Sequence, residues 1–177
     1  AIALLRELKR SPKMQKIGVI GLGRMGSALA ARLAGQGADV TGWTRSGLTA
    51  VRASELGIKR ADTLADLAAS SDILISSLFD DAAVAEVLDA LAKTTIADTL
   101  IIDTSTIVPS TLTDRVAHFA ANGATLVDAP IAGGPELVQA GACGIFVGAD
   151  DATAQQAIAT LKLITEKVAH VGPLGSG

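Results

Sequence analysis

One cysteine, Cys143, is present in 177 residues. That excludes an internal disulfide and leaves no cysteine spacing for a structural metal, so the expectation is a small core residue in a protein of the reducing cytoplasm. Tyrosine is absent, and the aromatic residues are Trp43, Phe79, Phe119 and Phe146 alone. The apolar mass is therefore Ala, Leu, Ile and Val, which suits Ala-rich helices packed closely on aliphatic strands. No apolar run approaches the ~18–20 residues of a membrane span. The opening "AIALL" is too short for a secretory signal and has no basic flank before it. The net charge of −3 comes from interspersed acids and bases, which gives no electrostatic case for nucleic-acid binding. The basic stretch "RELKRSPK" (6–13) reads as a solvated terminal arm. Residues 1–14 are set aside as an N-terminal extension.

What the chain does contain is a rhythm. "IGVIG" (17–21) is a short β-branched run ending in glycine, and "RMGSALAARLAGQG" follows it with Ala28, Leu29, Leu33 and Ala34 at helical spacing. Gly35 and Gly37 stop that helix before a second strand, "ADVTGW" (38–43). Further strands are expected near Ile58 and at 72–78, 99–105, 125–130 and 144–149, with a last one near "KVAHVG". Helices lie between them, including one continuous helix over "PSTLTDRVAHFAANG". Strands alternating with helices of this length predict α/β architecture: a doubly wound, mainly parallel sheet joined by right-handed crossovers and covered on both faces.

"GLGRMG" places Gly21, Gly23 and Gly26 in G-x-G-x-x-G spacing between the first strand and the first helix. The first glycine makes the tight turn, the second lets backbone approach a pyrophosphate, and the third lets helix pack on strand. The helix start then offers free N–H groups and a positive dipole to phosphates. Glycines also collect in ordinary strand-to-helix turns; here the strand before, the helix after and the position at the head of the fold favour a dinucleotide.

A further absence bears on which dinucleotide. NAD-binding turns of this kind carry a carboxylate about 20 residues after the first glycine, where it accepts hydrogen bonds from the ribose hydroxyls. Counting on from Gly21 reaches Trp43, Thr44, Arg45 and Ser46, with no acid among them. Arg45 could form paired hydrogen bonds with a 2′-phosphate and stack on adenine, with hydroxyls from Thr44 and Ser46 beside it. The chemistry therefore predicts NADP rather than NAD. The plainer alternative makes Arg45 a solvated loop residue and Trp43 a cap on the sheet edge.

Two more stretches fall at strand C-termini, where ligands bind in open parallel sheets. In "DTSTIVP" (103–109), Ser105 and Thr106 leave the strand ahead of Pro109, so their hydroxyls could cap the next helix or face a ligand. In "DAPIAGGPELVQAG" (128–141), Gly133 and Gly134 could present backbone N–H groups to a carboxylate, or simply form a glycine-rich turn.

Taken in order, "VIGLGRMGSALAARL", "DTSTIVPST", "DAPIAGGPELVQAG" and "VGPLGSG" resemble the β-hydroxyacid dehydrogenase family over residues 15–177. That family includes 3-hydroxyisobutyrate dehydrogenase and shares the dinucleotide-binding domain of 6-phosphogluconate dehydrogenase, with imine reductases as relatives. The resemblance implies a Rossmann-type dinucleotide-binding domain over 15–177. It further implies an oxidoreductase moving hydride between NADP and a small carbonyl or hydroxy acid, with an all-helical C-terminal domain that dimerises. By position, it puts Gly21, Leu22, Gly23, Arg24, Met25 and Gly26 on the pyrophosphate and Thr44, Arg45 and Ser46 at the adenosine 2′ position. It puts Ser77, Leu78 and Phe79 along the cofactor, Thr106 near the nicotinamide ribose, and Ser105, Gly133 and Gly134 at the substrate.

Two departures accompany the likeness. Ala132 stands where the family usually has a serine before the paired glycines, which removes one hydroxyl contact and leaves room for a different carbonyl or an imine. The family's catalytic lysine follows the "GPLGSG" turn by a few residues, and this sequence stops at Gly177. Lys162, Lys167, His118 and His170 read as surface residues, so no catalytic residue is assigned within the chain. The expectation is the cofactor-binding domain of a longer enzyme; an imine reductase-like enzyme and a non-catalytic NADP-sensing module are the alternatives.

Overall fold

The computed structural model describes residues 15–177; the basic stretch at 6–13 and the rest of the 1–14 extension lie outside them. Among the described residues nine strands form one sheet: β1 (Lys16–Ile20), β2 (Asp39–Trp43), β3 (Lys59–Arg60), β4 (Ile73–Ser76), β5 (Leu100–Asp103), β6 (Thr125–Asp128), β7 (Ile131–Ala132), β8 (Gly144–Gly148) and β9 (Val168–Gly172). The helices are α1 (Arg24–Gly35), α2 (Ala50–Leu56), α3 (Leu64–Ala69), α4 (Asp81–Leu91), α5 (Ser110–Thr113), α6 (Val116–Ala121), α7 (Pro135–Gln139) and α8 (Asp151–Leu161).

Strands β3-β2-β1-β4-β5-β6 lie side by side and all parallel, the doubly wound order in which β1 and β4 flank the point where the chain reverses direction across the sheet. Beyond them, β6 and β7 both pair antiparallel with β8, and Asp128↔Gly148, Ile131↔Ile145 and Ala132↔Gly144 share one register. β7 is thus a continuation of the β6 edge after a break at Ala129–Pro130. β9 returns parallel on the other side of β8.

Alternation along the central strands divides the core in two. Ile17, Val19, Ile73, Ile75, Leu100 and Ile102 face α1 and α8, together with Ala28, Leu29, Leu33, Ala154, Ala157 and Leu161. Ile20, Leu74, Ile101 and Leu126 face the opposite layer, against Leu67, Val84, Leu88, Leu91, Leu112 and Phe119. Strands buried on both faces explain the near-continuous apolar runs of the sequence. Cys143 is fully buried in the first layer, as expected of a core residue, and burial pushes its thiol pKa up.

Local chemistry sets the helix ends. Thr49, Thr63, Asp80 and Asp150 each accept a first-turn N–H at the N-cap. Gly57 closes α2 in the left-handed region at φ 69°.

The helix read over 109–123 is two short helices. Arg115 explains the break: its Nη1 donates to the Thr111 carbonyl at 3.0 Å, and its own N–H turns to Leu112 O instead. The side chain thereby takes the acceptor that would continue the i→i−4 ladder. Its Nε and Nη2 grip Asp89 at 2.9 and 3.3 Å. Among the described residues no helix is long and apolar enough to cross a membrane.

Candidate functional site

The turn after β1 is set by its glycines. Gly21 has φ 86° and donates to Trp43 O at 3.0 Å, while Ser77 N donates to Ile20 O at 3.0 Å. The C-terminal ends of β1, β2 and β4 are therefore tied together at one point. A Cβ on Gly21 would meet the Ser77 carbonyl, and one on Gly26 would overlap the Gly21 carbonyl oxygen. Gly23 differs, because a Cβ there would meet no protein atom within 4 Å. It is the N-cap of α1, which has no side-chain cap, so the first N–H groups of the helix point outward from an open backbone. Ser27 Oγ, donating to Leu22 O at 2.9 Å, holds the turn against the helix.

Beside this turn lies a cleft of about 360 Å³. One wall is Gly21, Leu22 and Gly23 with Trp43, Thr44, Arg45 and Ser46; the other is Ser77, Leu78 and Phe79 with Leu64, Ala83, Glu86, Val87 and Ala90. Three segments chosen separately from sequence thus meet in one cavity. Phe79 is 96% exposed at its rim. Thr44 to Gly47 form a tight turn closed by Gly47 N donating to Thr44 O at 2.9 Å, which presents Arg45 and Ser46 to the opening. Arg45 Nη1 donates to Glu86 Oε2 at 2.8 Å.

Glu86 was not anticipated, nor were its neighbours on α4. The signal was available: Ala83, Glu86, Val87 and Ala90 recur at helical spacing on one face of the helix. Arg24, Met25 and Gly26 sit in the first turn of α1 and are not part of the cleft lining. Arg24 instead approaches Glu136 at 3.5 Å on the surface.

The segments read as the substrate side do not line this cleft. Thr106 is exposed, whereas Ser105 is buried and fully engaged: Leu78 N donates to its Oγ at 2.9 Å, and that hydroxyl donates to Asp103 Oδ2 at 3.3 Å. Neither hydroxyl caps α5. Asp81 instead ties the segment ahead of α5 to α4, accepting from Val108 N at 2.9 Å and Thr111 Oγ1 at 2.6 Å; these two bonds, the Thr111 one first, hold its carboxyl below the usual range.

Asp103 is 1% exposed. Burial pushes its carboxyl up, against hydrogen bonds from Ser76 Oγ at 2.5 Å and Ser105 N at 2.9 Å. It is a buried brace that joins the ends of β4 and β5, and sequence reading passed over it because a strand-end Asp carries no mark of burial.

Gly133, at φ 133°, and Gly134, the N-cap of α7, follow β7. A Cβ on Gly134 would sit 3.0 Å from Glu136 Oε2, so an acid leans over this turn. Asp128 accepts from Gly175 N at 2.7 Å and Gly177 N at 2.5 Å. The final "GPLGSG" loop is thereby pinned at the carboxyl end of β6, on the same edge of the sheet as the cleft. Lys162 pairs with Glu166, Lys167 Nζ donates to Ala142 O, and His170 lies against the carbonyls of Ala149 and Gly172. None of these residues, nor His118, lines the cleft. Among the described residues no group of His, Cys, Asp and Glu could hold a metal.

Comparison with known proteins agrees with this geometry. Residues 16–172 match the family described as the NAD binding domain of 6-phosphogluconate dehydrogenase. The 2-(hydroxymethyl)glutarate dehydrogenase of Eubacterium barkeri is 32% identical over 168 residues, covering 93% of this chain and 56% of that protein. The 3-hydroxyisobutyrate dehydrogenase of Mycobacterium tuberculosis, solved with L-serine, superposes with a TM-score of 0.86 at 29% identity, over 93% of this chain and 56% of that one. A reductive aminase of Aspergillus terreus, in complex with NADPH and ethyl levulinate, gives 0.79 at 26% identity, over 93% and 57%. An imine reductase variant of Myxococcus stipitatus, in complex with NAD+, gives 0.80 over 92% and 56% at 24% identity, a likeness of fold alone. The chain spans a little over half the length of the relatives it matches. It is an NAD(P)-binding domain with a Rossmann-type fold, and it belongs to the 3-hydroxyisobutyrate dehydrogenase-like family of oxidoreductases.

Proposed function

We propose that this chain binds NADP(H) in preference to NAD(H), as the cofactor-binding part of an oxidoreductase that moves hydride to or from a small carbonyl or hydroxy acid. The observation that carries the reading is Arg45 at the mouth of the cleft, with Thr44 and Ser46 beside it, where an NAD site would hold a carboxylate. A guanidinium attracts a 2′-phosphate, and an acid at that position would repel it. Neighbours have been captured with NADPH and with NAD+, so the preference rests on this chain's own residues.

The residues present suit a dinucleotide. The open backbone at Gly23 and the uncapped start of α1 offer N–H donors to a pyrophosphate, with Gly21, Leu22, Arg24, Met25 and Gly26 shaping the turn. Ser77, Leu78 and Phe79 would lie along the cofactor, and Thr106 near its nicotinamide ribose. Ser105, Gly133 and Gly134 would border the substrate. The nicotinamide supplies the hydride chemistry; the protein orients it. Among the described residues no lysine or histidine reaches the cleft, so the proton donor would come from the part of the relatives' length that this chain does not span, and the chain alone would turn over poorly. We place the protein in the cytoplasm, on its single buried cysteine, and the full-length enzyme as a homodimer or higher homo-oligomer.

Ala132, in place of a serine, favours a second reading in which the carbonyl is replaced by an imine. Titrating the 177-residue chain with NADPH and with NADH tests the first claim. NADPH should bind at least about tenfold more tightly, and equal affinities would overturn it. Activity of a full-length protein on succinic semialdehyde, glyoxylate and a cyclic imine separates the two substrate classes. Inertness towards all three would favour an NADP-sensing module.

A further inference from the structure

The cleft mouth carries two opposite charges. Of the described residues that line the cleft, Arg45 is the one cation and Glu86 the one anion. They meet at 2.8 Å with side chains 76% and 60% exposed, although 41 residues separate them in sequence. Glu86 is held in place by its helix. Asp80 caps the N-terminus of α4, and Val84, Leu88 and Leu91 bury its opposite face. The face bearing Ala83, Glu86, Val87 and Ala90 is thereby fixed towards the cleft. Arg45 uses one of its donors on Glu86, and the rest of the guanidinium fork stays available.

An ion pair this exposed is weak and exchangeable. A phosphomonoester, with about 1.5–2 negative charges and three acceptor oxygens, would displace or crowd the single carboxylate. In doing so it would stand a few ångströms from an acid that stays anchored on α4. A cofactor with a bare 2′-hydroxyl brings no such charge and leaves the pair intact.

We propose that Glu86 is a specificity-determining residue that works against Arg45. It competes with the 2′-phosphate for the same guanidinium and repels it at close range. The preference for NADP is therefore the difference between an attraction on the β2 wall and a repulsion on the α4 wall. The proposal rests on the reading of Arg45 as the 2′-phosphate ligand.

The test is a binding titration of the 177-residue chain carrying Glu86→Gln, which keeps the shape and removes the charge. Trp43, the single tryptophan, lines the cleft and reports occupancy by fluorescence. NADPH and NADH are compared, with 2′,5′-ADP and 5′-AMP isolating the adenosine half. The substitution should tighten NADPH and 2′,5′-ADP by about threefold to tenfold, change NADH and 5′-AMP by less than about twofold, and lose part of its effect at high salt.

An NADPH to NADH affinity ratio that stays unchanged or falls in Glu86→Gln overturns the proposal. Arg45→Ala keeps the two levels apart. If it collapses the ratio while Glu86→Gln fails to raise it, the role of Glu86 alone is wrong. If Arg45→Ala leaves the ratio untouched, the reading of Arg45 falls and takes this proposal with it.

Discussion

Gly26 lies against Gly21 so closely that a Cβ on the first would overlap the carbonyl oxygen of the second, whereas a Cβ on Gly23, between them in sequence, would meet no protein atom within 4 Å. The three glycines of the turn therefore answer to different demands. Gly26 and Gly21 are required by the fold. Gly23 is not, and under the proposed function the approaching pyrophosphate is the reason for it.

Two substitutions separate these demands. Gly26→Ala should destabilise the protein by about 1–3 kcal/mol, because backbone on both sides has to move, and thermal melting would read that loss. Gly23→Ala should cost under about 1 kcal/mol yet weaken NADPH by more than about tenfold, since the new methyl occupies the backbone's approach to the pyrophosphate. A Gly23→Ala protein that binds NADPH normally would contradict the placement of the phosphates.

The cap of α8 has a pH signature. Asp150 accepts from the Thr153 hydroxyl at 2.7 Å and from the N–H groups of Thr153 and Ala152; these bonds, the hydroxyl one first, hold its pKa below the ordinary value. A carboxylate with a depressed folded-state pKa stabilises above its unfolded-state pKa and loses that contribution as pH falls through the folded value. Asp150→Ala should therefore lower the melting temperature by about 2–4 °C near pH 7, with a gap that narrows below about pH 4. A gap that is constant across this range would show that the side chain, and not its charge, is what matters.

Cys143 offers a probe of the core. Its side chain is fully buried and its thiol pKa is raised by that burial, so the reactive thiolate is scarce and shielded. An aromatic disulfide reagent should label it only as fast as the protein opens, and denaturant should make labelling immediate. Fast labelling of the native protein would contradict the packing described around β8.

The architecture was legible wherever it follows from periodicity. The aliphatic runs located the central strands, and counting from Gly21 brought Thr44, Arg45 and Ser46 to the strand end beside the turn. The family resemblance, not the periodicity, added Ser77 to Phe79 after β4, and all three segments share one cleft. What stayed hidden depends on side chains reaching across the chain. Arg115 breaks a helix by claiming the Thr111 carbonyl, Asp81 holds a hydroxyl 30 residues on, and Asp103 braces two strands from inside the core. Glu86 belongs with them in part: helical spacing puts it on one face with Ala83, Val87 and Ala90, but not opposite Arg45, 41 residues away. The short strand β7 was missed because two residues carry no alternation to read.

The most direct test of the account is the cofactor dependence of Arg45→Ala. NADPH and NADH binding to the native and substituted chains would be measured at one ionic strength, since exposed charge pairs are sensitive to salt. NADPH should weaken by about tenfold to a hundredfold, the loss of paired charge-assisted hydrogen bonds to a phosphate, while NADH changes by less than about twofold. Equal losses for both cofactors, or none for either, would contradict it.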